Sequence, residues 1–525
     1  MKSSVELVVH RRGRSPEEPF PFADAYCIVV AGGGKTCRVR WPGFCKDSGP
    51  CPSRKPRLSE CDFLLNRSAA AVHLVGCGGA GMRALAEYAR DLGWQVSGSD
   101  AAVNGRVRGR LEQCGVTVHE GHSSEHISPG LDALLYSPAV PGSNVERRAA
   151  RERNLAEASY PQFLGAVSRE RQAIAVAGTH GKSTTTALIA EALSDAGKVS
   201  AVFCGAEILS RERHGWAGPG NWAVIEACEY RRHFLDLSPE IGVILGIEPD
   251  HFDCFSDLDD AIGAYSQFLA RIRPTGLALI NVDQDSSQGL ARGGGRIETL
   301  SAIGAAADWS AVVTRHSAAG VEMNISFHGE LEARISLPIL GSHHSANALA
   351  AFAALRAAGL SSSAIADSFA RFSGLGRRLE RHSDWRGVIR LDDYAHHPTA
   401  VRAVLEAIRN DVAVSSETRI VCLFQPHQVS RTRPLLDDFA AAVSVADEAW
   451  ILPVYAARED GAGVANELSR EMSRRVPRPC RSAFIPSLDH ALTTLETALR
   501  PGDIVVTLGA GDIDCLHYDL PRRFP

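Results

Sequence analysis

Ala173-Ile174-Ala175-Val176-Ala177-Gly178-Thr179-His180-Gly181-Lys182-Ser183-Thr184 is the stretch from which the rest of the chain can be read. Five apolar residues followed by a glycine-rich turn fit a short buried strand. The residues after the turn, Thr184 to Ala196, read as a helix. A glycine loop between strand and helix presents free backbone N–H groups and the positive end of the helix to phosphate oxygens. Its ending, Gly181-Lys182-Ser183, is that of a phosphate-binding loop, although the glycine spacing is two residues shorter than usual. Lys182 is then placed to reach the terminal phosphates, and Ser183 to ligate magnesium. The expected ligands are ATP and Mg2+, held by Gly178, Thr179, His180, Gly181, Lys182, Ser183 and Thr184.

A second glycine cluster lies upstream. Ala71 to Val75 reads as a buried strand, and Gly81 to Leu92 as a helix with Leu85, Tyr88, Ala89 and Leu92 on one face. Between them stand Gly76, Gly78 and Gly81 in G-x-G-x-x-G spacing. Trp94 to Gly98 is a further strand, ending at Asp100, which occupies the acidic position that takes a ribose hydroxyl in dinucleotide folds. The pattern indicates the diphosphate of a nucleotide without saying which; a tight strand–helix turn with no ligand is the alternative. A dehydrogenase has no use for the second loop, and a plain ATPase none for the first. A ligase that activates a nucleotide-linked acid uses both.

Strands are also expected at Ala133–Tyr136, Trp222–Ile225, Ile241–Ile247, from Ile389, at Arg419–Phe424 and at Asp503–Leu508. Strands alternating with helices imply an α/β fold with parallel sheets, and the first and third units could share an architecture. Glu226 and His251 follow two of the central strands, where ligands of a parallel sheet gather, so they join Ser183 as candidate metal ligands. Asp392-Asp393-Tyr394-Ala395-His396-His397-Pro398-Thr399 leaves another strand. Its adjacent carboxylates should point opposite ways on an extended backbone, favouring substrate positioning over metal binding. Phe424-Gln425-Pro426-His427 is followed by Arg431, a candidate grip for a carboxylate.

At 525 residues the chain has room for about three domains of ~100–200 residues. A net charge of -5 gives no electrostatic case for nucleic acid. No apolar run of membrane-spanning length and no secretory signal is seen, so no membrane partner is expected and the cytosol is the expected compartment. The 13 cysteines form no C-x-x-C pair and read as reduced thiols. Residues 1–68 lack helical periodicity and are expected to be a poorly ordered extension, or sequence upstream of the true start.

Taken together, these motifs resemble the Mur ligase family from about Val72 to the C-terminus. Gly76–Met82 looks like the family's UDP-sugar loop, Gly178–Thr184 like its ATP loop, and Asp392–Thr399 is the most specific match. Phe424–His427 is similar to its amino-acid motif, and Gly509–Ile513 to its closing turn. The resemblance implies three domains: a Rossmann-like UDP-binding domain (69–169), a central P-loop ATPase-like domain (170–375) and a C-terminal Rossmann-like domain (376–525). It implies UDP-N-acetylmuramic acid and L-alanine as substrates, joined through an acyl phosphate. Gly76, Gly78, Gly79, Gly81, Met82 and Asp100 would bind the UDP substrate. His344, Asn347 and Arg378 would join the ATP loop. Tyr394, His396, His427 and Arg431 would bind the amino acid. Lys182, Glu226, His251 and His396 would be catalytic, with Ser183, Glu226 and His251 on the metal.

Some positions depart from the family pattern. Gln428 and Val429 stand where an arginine and an aromatic are usual, and His344 replaces an asparagine near adenine. Glu226-Ala227-Cys228-Glu229-Tyr230-Arg231 replaces E-A-D-E-S-D, and Gly246 replaces an asparagine. Alternatives are a recycling ligase that joins a preformed peptide to the same sugar, and a catalytically inactive nucleotide-binding regulator.

Overall fold

The computed structural model describes residues 28–31, 35–38, 62–65, 67, 69–250, 254–290, 296–317, 319–411, 418–456 and 462–525. Two compact units result, 1–57 and 58–525. In the first, Ile28–Ala31 pairs antiparallel with Lys35–Arg38. The remaining residues of that unit, on which most of the expectation of disorder falls, lie outside the described residues.

The second unit is α/β and carries three sheets. The first has five parallel strands in the order Thr117–Glu120, Gln95–Asp100, Ala71–Val75, Ala133–Tyr136, Ala156–Ser159. Its earliest strand is central, so the chain reverses direction at Gly76, the switch point where open parallel sheets bind ligands. The helix that follows is Ala80–Asp91, one residue earlier than the periodicity placed it, because Gly79 takes the cap position.

The second sheet has ten strands. Gln172–Ala177 lies at its heart, between Trp222–Glu226 and Ile241–Ile244, all parallel. Ala173, Ala175 and Ala177 face one apolar cluster while Ile174 and Val176 face another, so the strand is buried on both sides. The helix after the loop is Lys182–Asp195, two residues longer at its start than expected, because Gly181 at φ +80° caps it. The strand expected over Ile241–Ile247 stops at Ile244. Gly246, at φ +152°, turns its carbonyl onto the Thr179 N–H at 2.9 Å instead. Beyond Arg296–Ser301 the sheet continues through Trp309–Ser317, Gly320–Phe327 and Glu330–Leu337, the last two antiparallel additions.

The third sheet runs Glu380–Trp385, Val388–Asp393, Ile504–Leu508, Ile420–Phe424, Glu448–Ile451, Arg481–Phe484, parallel but for the first strand. It shares the layered design of the first sheet but not its strand order: the last strand in sequence, not the first, takes the middle.

The first and second sheets are locked together through Glu87. This buried side chain on the helix Ala80–Asp91 accepts the backbone N–H groups of His214 and Gly215 at 2.7 and 2.9 Å. Glu87→Ala leaves both donors unsatisfied, and is expected to lower unfolding free energy by about 2–4 kcal/mol, measured by urea denaturation. Among the described residues no helix is long and apolar enough to cross a membrane.

Candidate functional site

The loop between Ala177 and Lys182 needs its glycines. A Cβ on Gly181 would meet Asn347 Oδ1 at 2.1 Å, and one on Gly178 would meet Leu245 Cβ at 2.9 Å. The turn is thus pressed against the next strand end and against the helix His344–Ala357. Lys182 folds back over it: Nζ donates to the carbonyls of Gly178 (2.5 Å) and Thr179 (3.2 Å) and to Glu229 Oε1 (2.9 Å). Burial opposes the charged ammonium, but the Glu229 carboxylate outweighs it and holds the lysine above its ordinary range.

Ser183 Oγ donates to Glu226 Oε1 at 3.0 Å, and Gly205 N–H donates to the other Glu226 oxygen at 2.6 Å. Adjacent ligands of an octahedral magnesium with bonds near 2.1 Å lie about 3 Å apart. The Ser183–Glu226 oxygen pair therefore fits the ion, with two hard oxygen donors beside the phosphate loop. His251 lies outside the described residues.

Glu248 gathers several parts of the site. Its oxygens meet His180 Nε2 (3.2 Å), Gln284 Nε2 (2.8 Å) and Thr399 Oγ1 (2.8 Å), with His397 Nδ1 at 3.7 Å. Phosphate loop and third sheet are thereby tied to one carboxylate. Burial pushes this carboxyl up, but the His180 and Thr399 contacts bring it down to about 2 from 4.5. A depressed carboxyl stabilises the fold above its unfolded value and stops doing so as pH falls through its folded value. The Glu248 contribution is therefore complete above about pH 4.5 and is lost towards pH 2. Glu248→Gln should flatten that part of the decline in melting temperature between about pH 4.5 and 2, as followed by circular dichroism.

The third sheet delivers its loops to the same place. Asp392 and Asp393 do point opposite ways. Asp392 takes Thr507 Oγ1 (2.5 Å) and Arg377 Nε (3.1 Å), while Asp393 takes the N–H groups of Leu379 (2.8 Å) and Ala395 (2.7 Å). Both carboxylates brace the loop that carries Tyr394 and His396. His396 Nδ1 sits 2.8 Å from the Tyr394 carbonyl, and its ring stands edge-on to His427 at 5.9 Å. Burial and the nearby Arg431 keep His396 well below its ordinary pKa. Arg378 lies over the Tyr394 ring, 5.4 Å from its centre. Arg431 is buried and donates to Asp250 Oδ1 at 2.7 Å, so its Nε is committed to the central domain. Its Nη1 approaches His427 Nδ1 at 3.4 Å.

On the first sheet, Gly78 N–H donates to Asp100 Oδ2 at 2.9 Å, so one of the two oxygens meant for a ribose already holds the loop. A Cβ on Gly76 would meet Ser137 Cβ at 2.9 Å, and one on Gly81 the Tyr160 ring at 2.7 Å. Gly79 caps the helix with its N–H groups free of side-chain caps. Met82 is a core side chain, 2% exposed, which leaves only its backbone for a ligand. His344 and Asn347 are likewise buried and meet each other at 3.2 Å, with Asn347 packed on Gly181. Thr184 is buried within the first helical turn. Three acidic residues were not singled out by sequence reasoning: Glu229, Glu248 and Asp250. Each sits in a stretch already marked by Glu226 or His251, and an acidic residue shortly after an expected strand end was the available signal.

Family models match nearly the whole second unit. The "Mur ligase family, catalytic domain" covers residues 71–172, the "Mur ligase middle domain" 176–355 and the "Mur ligase, glutamate ligase domain" 377–511. The UDP-N-acetylmuramate–L-alanine ligase of Syntrophomonas wolfei is 34% identical over 462 residues, covering 86% of this chain and 97% of that protein. Its counterpart in Kineococcus radiotolerans is 37% identical, covering 84% and 93%. The crystal structure of UDP-N-acetylmuramate–alanine ligase from Thermotoga maritima shares the fold, with a TM-score of 0.73 at 23% identity over 87% of this chain and 99% of that one. A murein peptide ligase from Psychrobacter arcticus gives 0.67 at 26% identity, covering 86% and 98%. With three family models spanning its three sheets and relatives above one-third identity across most of its length, the chain belongs to the Mur ligase family.

Proposed function

We propose that this chain joins L-alanine to the carboxylate of UDP-N-acetylmuramic acid, converting ATP to ADP and phosphate. It is an amide-forming ligase of peptidoglycan synthesis. The observation that carries the reading is the meeting of three strand-end loops at Glu248 and Asp250. There the phosphate loop and the loops of the third sheet come together, and the helix that opens at that phosphate loop carries Ser183 of the Ser183–Glu226 pair. We assign residues 69–169 to the UDP-sugar, 170–375 to ATP and 376–525 to the amino acid, and place the reaction in the cytoplasm, where ATP is available.

A carboxylate resists attack by an amine because oxide would have to leave. Transfer of the γ-phosphoryl group onto the sugar's carboxylate oxygen gives an acyl phosphate, from which phosphate leaves readily. Lys182, charged and fixed at the loop, stabilises the oxygens of the phosphoryl group in flight. Ser183, Glu226 and His251 would hold magnesium, which neutralises phosphate charge when bound. The alanine amine then attacks the acyl carbon and the C–O bond to phosphate breaks. His396, held neutral by burial, has a nitrogen able to take a proton from that amine. Tyr394 and His427 flank it, and Arg431, beside His427, would hold the amino-acid carboxylate. The contacts of Thr399 and Arg431 with Glu248 and Asp250 hold the third sheet's loops against the central domain, the closure that protects an acyl phosphate from water.

The test is product mass after incubation with ATP, magnesium, UDP-N-acetylmuramate and one acceptor at a time: L-alanine, glycine, L-serine or the muropeptide tripeptide. The alanine adduct is expected. A product with the tripeptide alone would make the chain a recycling ligase, and none with any acceptor would make it a regulator.

A further inference from the structure

A second constellation lies in the first domain, behind its glycine loop and apart from the ATP site. Glu146, on the helix Val145–Glu152, is fully buried. Its Oε2 accepts from Ser99 Oγ at 2.6 Å and lies 3.0 Å from His122 Nδ1. Its Oε1 lies 2.6 Å from His126 Nδ1, 3.3 Å from the Ser123 N–H and 3.6 Å from His73 Nε2. His119 stacks on His126, with ring centres 4.1 Å apart.

His73 is the informative member. It is fully buried in the strand Ala71–Val75, and its Nδ1 is satisfied by Ser97 Oγ at 2.8 Å. Its Nε2 has no hydrogen-bond partner, yet it is aimed at the Glu146 carboxylate. A buried carboxylate facing this nitrogen calls for positive charge between them, from a proton on Nε2 or from a metal ion. The separation of 3.6 Å is longer than an ordinary hydrogen bond of about 2.7–3.2 Å. Two donors on one zinc ion, with bonds of 2.0–2.2 Å and a tetrahedral angle, stand about 3.4 Å apart; the His73–Glu146 pair already has this spacing, and the His126–Glu146 pair, 2.6 Å apart without the ion, must open to it on binding.

We propose that His73 Nε2, His126 Nδ1 and Glu146 Oε1 form a binding site for a divalent transition metal of the zinc class. The three donor atoms lie within 4.8 Å of one another. Two imidazoles and one carboxylate suit zinc and its neighbours rather than magnesium, which prefers oxygen alone. Ser97 on His73 and His122 on the second Glu146 oxygen are the outer partners that orient such ligands. Binding releases the proton from His126 Nδ1, since the ligand nitrogen must be bare. Ser99 connects the ion to the nucleotide loop: its hydroxyl donates to Glu146, and its carbonyl accepts the Gly76 and Cys77 N–H groups at 2.8 and 3.0 Å. The ion would stiffen the turn from behind.

The experiment uses the full chain, stripped with a chelator and titrated with Co2+ while the visible d–d absorption is followed. One equivalent should produce an intense band of low-coordinate cobalt, and zinc should displace it. His126→Gln and Glu146→Gln should each remove the band, while His122→Gln keeps the stoichiometry and weakens affinity about 10–100-fold. His126 is partly exposed, so its variant keeps the test sound if Glu146→Gln does not fold. Glu248→Gln, which breaks up the His180–Glu248–His397 group, should leave the band intact. No cobalt uptake by the wild type would overturn the proposal. So would a band that survives His126→Gln or disappears in Glu248→Gln.

Discussion

Lys182→Ala should lower turnover by at least about 10²–10³-fold, the usual cost of removing one charge-stabilising donor from a transition state, while UDP-sugar affinity stays at the wild-type value. The ammonium is pinned by two loop carbonyls and by Glu229, so its charge is set in place before ATP arrives. The UDP-sugar loop is built on a different sheet and shares no residue with it. Steady-state kinetics and calorimetric titration of the UDP-sugar separate the two effects. A neighbouring variant checks the cause. Glu229→Gln removes the charge that raises the lysine, so the alkaline limb of the pH–rate profile should move to lower pH. Near-normal turnover in Lys182→Ala would remove this residue from the chemistry.

The second large effect is expected at Gly181. Gly181→Ala places a Cβ 2.1 Å from Asn347 Oδ1 in a residue held at φ +80°. The left-handed backbone costs an alanine about 1–2 kcal/mol and the overlap about 1–3 kcal/mol more. Together these should weaken ATP binding or turnover by roughly 10²–10³-fold, since each 1.4 kcal/mol is tenfold. Gly197 supplies the control. It has φ +64° but nothing within 4 Å of its missing Cβ. Gly197→Ala should therefore cost only the backbone term in stability and leave the ATP Michaelis constant unchanged. Equal behaviour of the two variants would mean that the Asn347 contact does not shape the loop.

Much of this fold could be read from the chain because its central strands are buried on both faces. Ala173–Ala177, Ala133–Tyr136 and Ile420–Phe424 are continuous apolar runs, and such runs announce themselves. The antiparallel additions do not. Glu380–Trp385 buries only Trp385, and Glu330–Leu337 buries only Ile335 and Leu337, so neither gives a clean alternation. The end of the strand at Ile244 was set by Gly246 and its contact with Thr179, a tertiary contact invisible in sequence. At the site, residues next to glycine were legible because phosphate binding has a backbone signature. The acidic partners were not. Glu229, Glu248 and Asp250 acquire meaning only when folding brings Lys182, Thr399 and Arg431 to them from 47, 151 and 181 residues away. Arg431 shows the converse: its position suggested a ligand grip, and the structure commits its Nε to Asp250.

The most direct test of the acyl-phosphate mechanism is oxygen transfer. UDP-N-acetylmuramate labelled with ¹⁸O in its carboxylate is incubated with ATP, magnesium, L-alanine and the full chain. The inorganic phosphate released is then examined by mass spectrometry. Attack of the carboxylate on the γ-phosphoryl group predicts one ¹⁸O in the phosphate of each turnover, with ADP as the nucleotide product. Unlabelled phosphate formed alongside the alanine adduct, or label carried into AMP, would contradict it.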